Sequence, residues 1–599
     1  MATMTTTDLT TTWTRRWHQW LALGLVLFSF FMALFVNRTV FERLPHLEDE
    51  LAYIFQARIF ARGDVVVASP EPRRAFWQPF VVDYEPQGTR FGKYSPGWPA
   101  LLAIGVLLGQ MSFVNAAAAA LNVALVYRLG REVFNPDVGV IAAALMAFSP
   151  MALLLNASLM GHTTALCCFT LFMYAYWRLS RPRSRHRLRW AALAGLALGL
   201  LIVNRPLTAV GVTLPFVLWS GLRVLRAALD GWRSAPEKLL PTLQPLLLLA
   251  AIALLMSSAL PLFNYAATGD PTQNLYTLVW PYDRVGFGEC CGRSGHTIVK
   301  GILHTRYDLS LTAADLFGWQ AGLITPQLVE HLQTRASYWP VMGLSFFILP
   351  FGLWVGFRTR WLRAWLLLAL AWLAVPLATN ADFLRDDEAA IWAWLGVGAV
   401  WMLVPPLALA WRGTTDDNRT RAAWTWLLLA VAVSLIGLHL AYWVGSQRYS
   451  TRYYFEAVSA LALIGALPIA WLARRFKRVF IYWLLSLALV WSLNAYSTPR
   501  INALYRFNGV SPELIEQIEQ RRVDDRPLLV IVNGDLGAVS WRAYGSLLAV
   551  TGPYLDDDIV AVRDFAADGT VRAQLVERFP DRQIIEMQAR STDIWFVDP

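Results

Sequence analysis

The chain has 599 residues, of which 56% are hydrophobic, only 16% are charged and 28 are Trp. Soluble domains carry roughly a quarter charged residues, whereas long apolar runs here approach the ~20 residues that cross a bilayer. A soluble fold is thereby excluded and a polytopic membrane protein is expected. The formal charge of +10 does not signal nucleic acid, because Arg and Lys gather in short clusters between apolar runs, which is the positive-inside pattern of membrane proteins.

In chain order, Arg15 and Arg16 precede an apolar run at 20–36. It is longer than a signal h-region and no small-x-small cleavage site follows, so it reads as an uncleaved first span that starts in the cytoplasm. About thirteen spans fit the hydropathy. They fall near 18–37, 114–130, 138–156, 162–178, 190–203, 206–222, 239–262 and 338–356, then as a pair flanking 382–388, a pair flanking 446–456, and 479–496. With this count the Arg-dense loops lie inside: Arg128 and Arg131, the stretch 178–189, Arg223, Arg226 and Arg233, Arg358 to Arg363, 412–421, and Arg474 to Arg478. Segments 38–113 and 263–337, the acidic stretches 48–50 and 382–388, and the C-terminal tail fall outside. Part of the first outside segment, 98–108, is apolar enough to lie in or along the membrane.

The tail changes composition. Short apolar runs at 528–532, 558–562, 583–585 and 594–597 predict strands, Asn533-Gly534 a turn, and 571–579 an amphipathic helix. The expected division is a mainly α transmembrane bundle over 1–496 and a small soluble α/β domain over 497–599, an accessory or acceptor-facing module with no catalytic motif. Four Cys form two adjacent pairs, Cys167-Cys168 and Cys290-Cys291, neither with metal-ligand spacing; thiols are expected, with a vicinal disulfide the uncommon alternative for Cys290-Cys291 in its outside loop.

The polar clusters that could carry chemistry fall on the outer side. Glu48-Asp49-Glu50 follows the first span, and Asp49, Tyr53 and Gln56 share one helical face. An acid cluster there is either a solvated loop or a site. Lys93-Tyr94-Ser95-Pro96 sets a Lys in an aromatic, Pro/Gly-broken stretch. It is a snorkelling Lys beside an interfacial Trp, or a point charge for a lipid phosphate. Asn156, Ser158, His162 and Thr163 mark the outer ends of two spans, and Arg205 sits in Asn204-Arg205-Pro206 between two others. His296, with His304 and Arg306, lies in the second outside segment at spacings too loose for a metal claim. No Walker-type GK[ST] is present. Arg448 and Arg452 among Tyr449, Tyr453, Tyr454 and Phe455, with Glu456, suit a phosphate plus a sugar-like ligand; an interfacial aromatic belt with anchoring Arg is an equal reading.

The order of these features resembles the GT-C membrane glycosyltransferases, in particular the bacterial relatives of protein O-mannosyltransferase and of the lipid A aminoarabinose transferase. The resemblance rests on Asp49-Glu50 followed by Tyr53, on Lys93-Tyr94-Ser95-Pro96, on Asn204-Arg205-Pro206, on Asn264 with Thr268-Gly269-Asp270-Pro271, and on Arg452-Tyr453-Tyr454-Phe455-Glu456. Two positions depart from the family's pattern: His162 stands where many relatives carry an Asp, and the Lys-Pro-Pro form of the second motif is reduced.

The resemblance implies metal-independent or weakly metal-dependent inverting transfer of a sugar from a polyprenyl-phosphate donor to a lipid, glycan or protein acceptor, a divalent cation being the one cofactor it leaves open. The enzyme would lie in the cytoplasmic membrane with its site and C-terminal domain outside. Asp49 is the first choice of base and Glu50 the second. Lys93, Tyr94, His162, Arg205, His296, Arg448, Arg452, Tyr453, Tyr454 and Glu456 are the expected substrate ligands. The alternatives are a lipid-linked glycan ligase, which would share the Arg cluster without needing the early acids, a transporter or flippase, and an inert scaffold. Transporters place ionisable residues mid-span and show repeats; here the charges gather at span ends and no repeat is evident.

Overall fold

The computed structural model describes residues 6–181, 186–233, 239–320, 343–378, 387–412, 416–566 and 569–597. The core of the expected acidic loop, 382–386, and the end of the second outside segment, 321–337, lie outside the described residues, as do 182–185 and 413–415 of the Arg-dense loops.

Helices dominate, and the chain is a multi-pass membrane protein. Nine helices among the described residues are long and apolar enough to cross a bilayer, from Trp17–Thr39 to Arg478–Gly509. The run expected as one span at 138–156 is instead two helices, Pro136–Ala147 and Pro150–Ala157, bent by 60°. The break is local chemistry. Pro150 cannot donate to the preceding turn, and the Ser149 hydroxyl accepts from the Ala152 N–H (3.4 Å) to start the second helix. His162–Ser180, Ser345–Gly356 and Arg360–Ala378 occupy the other expected positions without being among the nine. Small residues let helices touch: a Cβ on Gly195 would sit 2.5 Å from the Leu249 carbonyl, and one on Gly199 2.4 Å from Met256 Cβ. Close backbone approach is how helices gain packing energy where the hydrophobic effect is absent.

Segment 38–113 is folded, not a loose loop. It contains the helix Glu48–Ala61, an antiparallel sheet in the order Val67–Ala68, Thr89–Gly92, Val81–Tyr84, and the apolar helix Gly97–Leu107. The second outside segment contributes Ala259–Thr268, Tyr276–Val279 and Ile298–Asp315.

The C-terminal region forms a four-stranded sheet in the spatial order Ile559–Asp564, Leu528–Asn533, Gln583–Arg590, Asp593–Phe596. The first three are parallel and the last is antiparallel. Thr570–Arg578 supplies the crossover helix. Central strand residues are buried on both faces, as a parallel sheet requires. One face packs Leu528, Val530 and Val532 with Ile518, Leu547 and, from the first outside segment, Leu51. The other packs Leu529 and Ile531 with Val560, Leu575 and Phe76. The first outside segment therefore supplies side chains to both faces of the C-terminal sheet.

Candidate functional site

The helix Glu48–Ala61 begins with three acids in its first turn, where the positive end of the helix dipole favours negative charge. Their side chains then part company. Glu50 is buried and turns inward. Its oxygens accept from the backbone N–H groups of His46 (2.8 Å), Leu47 (3.2 Å) and Leu159 (2.8 Å) and from the Tyr449 hydroxyl (2.7 Å). Burial pushes its carboxyl above the ordinary value, and these donors only partly offset that. Glu48 and Asp49 instead line a cavity of about 440 Å³ at this end of the bundle.

Asp49 is held at both oxygens. The Tyr94 hydroxyl donates to Oδ1 (2.6 Å), and Arg452 Nη1 donates to Oδ2 (3.3 Å). Burial alone would raise its carboxyl, but Arg452, Tyr94 and Lys93 outweigh burial and hold it below the usual range. Each carboxylate oxygen has two lone pairs, so these contacts fix the group without exhausting it as an acceptor.

Lys93 lies in an aromatic box. Its Nζ is 3.9 Å from the Phe80 ring centre, 4.4 Å from Trp280, 5.2 Å from Tyr94 and 5.3 Å from Tyr276. Asp283 Oδ2 is 3.5 Å away, while Asp283 Oδ1 accepts from the Tyr442 hydroxyl and the Trp443 indole, both at 3.1 Å. Burial lowers the Lys93 ammonium below its ordinary value, against the pull of Asp283 and Asp49.

On the opposite wall, Arg205 Nε lies 3.3 Å from Glu456 Oε1, and His162 Nδ1 lies 3.2 Å from the same oxygen. Tyr453 stacks on His439, with ring centres 5.1 Å apart. Arg205 and Arg452 lie 5.9 and 5.2 Å from the Tyr453 ring centre. Arg448, exposed, also lines the cavity and has no carboxylate partner among the described residues. Around this wall four buried polar atoms lack a protein partner: Arg452 Nε, Glu456 Oε2, His162 Nε2 and Asn204 Oδ1. Each costs roughly 1–3 kcal/mol if nothing satisfies it, and all four are enclosed behind the cavity surface.

Of the residues singled out by sequence, Asp49, Lys93, Tyr94, Arg205, Arg448, Arg452 and Tyr453 line the cavity. His162 and Glu456 stand directly behind it. Three do not come to it. Glu50 is consumed by the start of its helix and by Leu159. His296 stacks on Phe287 and contacts the Leu440 carbonyl (2.9 Å). Tyr454 points to Thr305. Gln56, on the same helical face as Asp49, clamps the Gly92 N–H and the Val65 carbonyl instead. Sequence reasoning missed Asp283, Trp280, Tyr276, Tyr442 and His439. A signal was there in Trp280-Pro281-Tyr282-Asp283, an acid within an aromatic cluster outside the spans. Cys290 and Cys291 are free, with sulfurs 2.7 Å apart.

A divalent ion is not well served. Asp49 is occupied by a hydroxyl and a guanidinium, Glu50 faces away, and among the described residues no three His, Cys, Asp or Glu side chains are grouped to hold a metal. Such an ion wants several oxygen ligands at once.

Residues 96–229 match the family described as Dolichyl-phosphate-mannose-protein mannosyltransferase. Over this part of the chain, which holds Asn204-Arg205-Pro206, the match agrees with the resemblance to membrane glycosyltransferases. Comparison with curated proteins by sequence gives no match. Among solved structures, ArnT from Cupriavidus metallidurans bound to undecaprenyl phosphate is similar at 12% identity, over 95% of this chain and 92% of that one, with a TM-score of 0.44. The archaeal oligosaccharyltransferase AglB from Archaeoglobus fulgidus, in complex with an inhibitory peptide and a dolichol-phosphate, is similar at 13% identity over 96% and 70%, with a TM-score of 0.41. At these values the likeness is a general one.

Proposed function

We propose that the chain is a glycosyltransferase of the cytoplasmic membrane that moves a sugar from a polyprenyl-phosphate donor to a hydroxyl on a lipid, glycan or protein acceptor, with inversion. The observation that carries this is the pairing pattern of the cavity's charges. Lys93 is matched by Asp283, Arg205 by Glu456 and Arg452 by Asp49. Among the described residues Arg448 alone faces the cavity without an acid, and it is the natural first ligand for a lipid phosphate. The match over 96–229 to a family described by a dolichyl-phosphate-mannose donor and a protein acceptor supports this reading.

In the reaction, the acceptor O–H loses its proton to Asp49 as its oxygen attacks the anomeric carbon. The bond from that carbon to the phosphate oxygen breaks, and its electron pair leaves with the polyprenyl phosphate. Attack and departure on opposite faces invert the centre. The leaving phosphate needs cationic stabilisation more than a strong acid, which Arg448 supplies, with Arg205 and Arg452 behind it. Tyr94 and Arg452 keep Asp49 ionised and aimed. The aromatic walls of Tyr453, Trp280 and Tyr276 suit a sugar ring. No step is routed through a metal. The positive-inside pattern supports placing the cavity and the region 497–599 on the extracytoplasmic face, with the bundle over 1–496.

The test uses purified protein in lipid with radiolabelled polyprenyl-phosphate sugars, following release of polyprenyl phosphate. Turnover that collapses in Asp49→Asn, with folding intact, is expected. Turnover by wild type that survives this change moves the base elsewhere, and no turnover with any donor removes the reading.

A further inference from the structure

The C-terminal region reaches the cavity wall through Trp541. No described residue beyond Tyr453 lines it. Yet Glu48, which does, accepts a hydrogen bond from the Trp541 indole N–H at 2.8 Å. Trp541 is itself fixed. It opens a short 3-10 turn, Trp541–Ala543, whose start is capped by Ser540. Its ring lies against Gly545, where a Cβ would come within 2.9 Å of it. The rest of the helix Glu48–Ala61 is gripped from the same side. Leu51 is buried among the C-terminal core residues. Arg58 donates to the Ala549 carbonyl (2.9 Å), Arg62 pairs with Asp556 (2.7 Å), and Asn508 donates to the His46 carbonyl just before the helix (2.7 Å).

We infer that Trp541 is a positioning residue for the active site: by holding Glu48 it sets the first turn of the helix that carries Asp49, so that the C-terminal region is a structural part of the catalytic centre. This rests on the reading of Asp49 as the base. The physical reason lies in leverage. The first N–H groups of a helix have no partner within the helix, so its first turn is the part most easily displaced. Asp49 sits there, and a displacement of about 1 Å at a reacting group can cost 10²-fold in rate. Glu50 ties that turn to the bundle through Leu159 and Tyr449, and Trp541 ties it from the other side. Asp49 is held between the two.

The experiment uses the full chain in lipid nanodiscs and three variants: Trp541→Phe, which keeps a ring against Gly545 but removes the donor, Glu48→Ala, and the two combined. Hydrogen exchange is followed by mass spectrometry alongside kinetics. In Trp541→Phe the amides of residues 48–53 are expected to exchange at least several-fold faster, while those of the strand Leu528–Asn533 stay protected. The kcat is expected to fall about tenfold with the donor KM within twofold, and the combined variant should be no worse than Glu48→Ala, because both remove one interaction. Unchanged exchange at 48–53, or losses that add, would overturn the inference. The exchange result is independent of turnover: a failure of Asp49→Asn to abolish activity would sink the base assignment and with it the catalytic half of the inference, while exchange at 48–53 would still decide whether Trp541 holds the first turn.

Discussion

Two clusters flank the segment 446–456, and their local chemistry is nearly the same. In one, Asp49 accepts from the Tyr94 hydroxyl at 2.6 Å and faces Arg452 at 3.3 Å. In the other, Asp315 accepts from the Tyr496 hydroxyl at 2.6 Å and faces Arg500 at 3.3 Å. What differs is access. Asp315 is fully buried, receives a further bond from Ser450 (2.7 Å), and its Arg500 partner also donates to the Tyr449 carbonyl (2.8 Å). Asp49 borders the cavity, and its Arg452 partner keeps a buried Nε without a bond. An Asp–Tyr–Arg set is therefore not a site by composition. The closed set braces the short hairpin of Gln447–Arg448 and Ser450–Thr451, which carries Arg448 and leads into Arg452; the open one has acceptor capacity left for a substrate.

The sharpest way to break this comparison is to neutralise both acids. Asp49→Asn should cut turnover by about 10²–10⁴-fold, the usual worth of a general base, while lowering the melting temperature by only a few degrees, because its Arg452 partner borders the open cavity. Asp315→Asn should do the reverse. It leaves a buried Arg500 short of its counter-charge, which costs about 3–5 kcal/mol, so the melting temperature falls steeply while residual folded protein keeps substantial turnover per molecule. If Asp315→Asn instead abolishes turnover in folded protein, the two clusters are not distinct in role.

Next in size is Arg448→Gln. As the cavity cation without an acid, Arg448 has the most to give a phosphate. Its loss should raise the donor KM about tenfold, in keeping with one charge-assisted hydrogen bond, with little change in stability. Lys93→Met should behave differently. It leaves Asp283 buried beside the Tyr442 and Trp443 donors, so its main effect should be on melting temperature. A donor KM that responds to Lys93→Met and not to Arg448→Gln would exchange their roles.

Access is also what the sequence could not show. The bundle and the tail's strands were legible because the length of an apolar run and the turn residues that bound it are local properties. The break at Ser149-Pro150 was legible in principle too, since Pro carries its own signal, but overall hydropathy masked it. Within the site, the sequence pointed to Asp49, Lys93, Arg205 and Arg452 through charge placed at span ends. It ranked Asp49 before Glu50 but could not supply the physical reason, which lies in Leu159, about a hundred residues away, turning its N–H toward Glu50 Oε1. His296 looked available for the same reason: its carbonyl partner on Leu440 lies 144 positions further on. Asp283 was passed over because an acid beside Trp and Tyr reads as an ordinary loop until Lys93 is placed against it.

The smallest expected effect concerns pH, and it sharpens the contrast between neighbours. Asp49 has its folded-state value held below the ordinary range of about 3.9. The sign follows: its ionised form stabilises the folded chain above the unfolded value, and that contribution is lost as pH falls through the lower folded one. Wild type and Asp49→Asn should therefore differ by a few degrees in melting temperature near pH 6, the wild type being higher, and should converge as pH drops from about 5 toward 3. Glu50 is raised by burial, so Glu50→Gln should show no such acid convergence. Its gap from wild type should instead widen with falling pH, since protonated Glu50 is the form that burial favours. Parallel curves for the two substitutions would mean that the adjacent acids feel one environment, and the division of labour between the open and the closed side of this helix turn would fail.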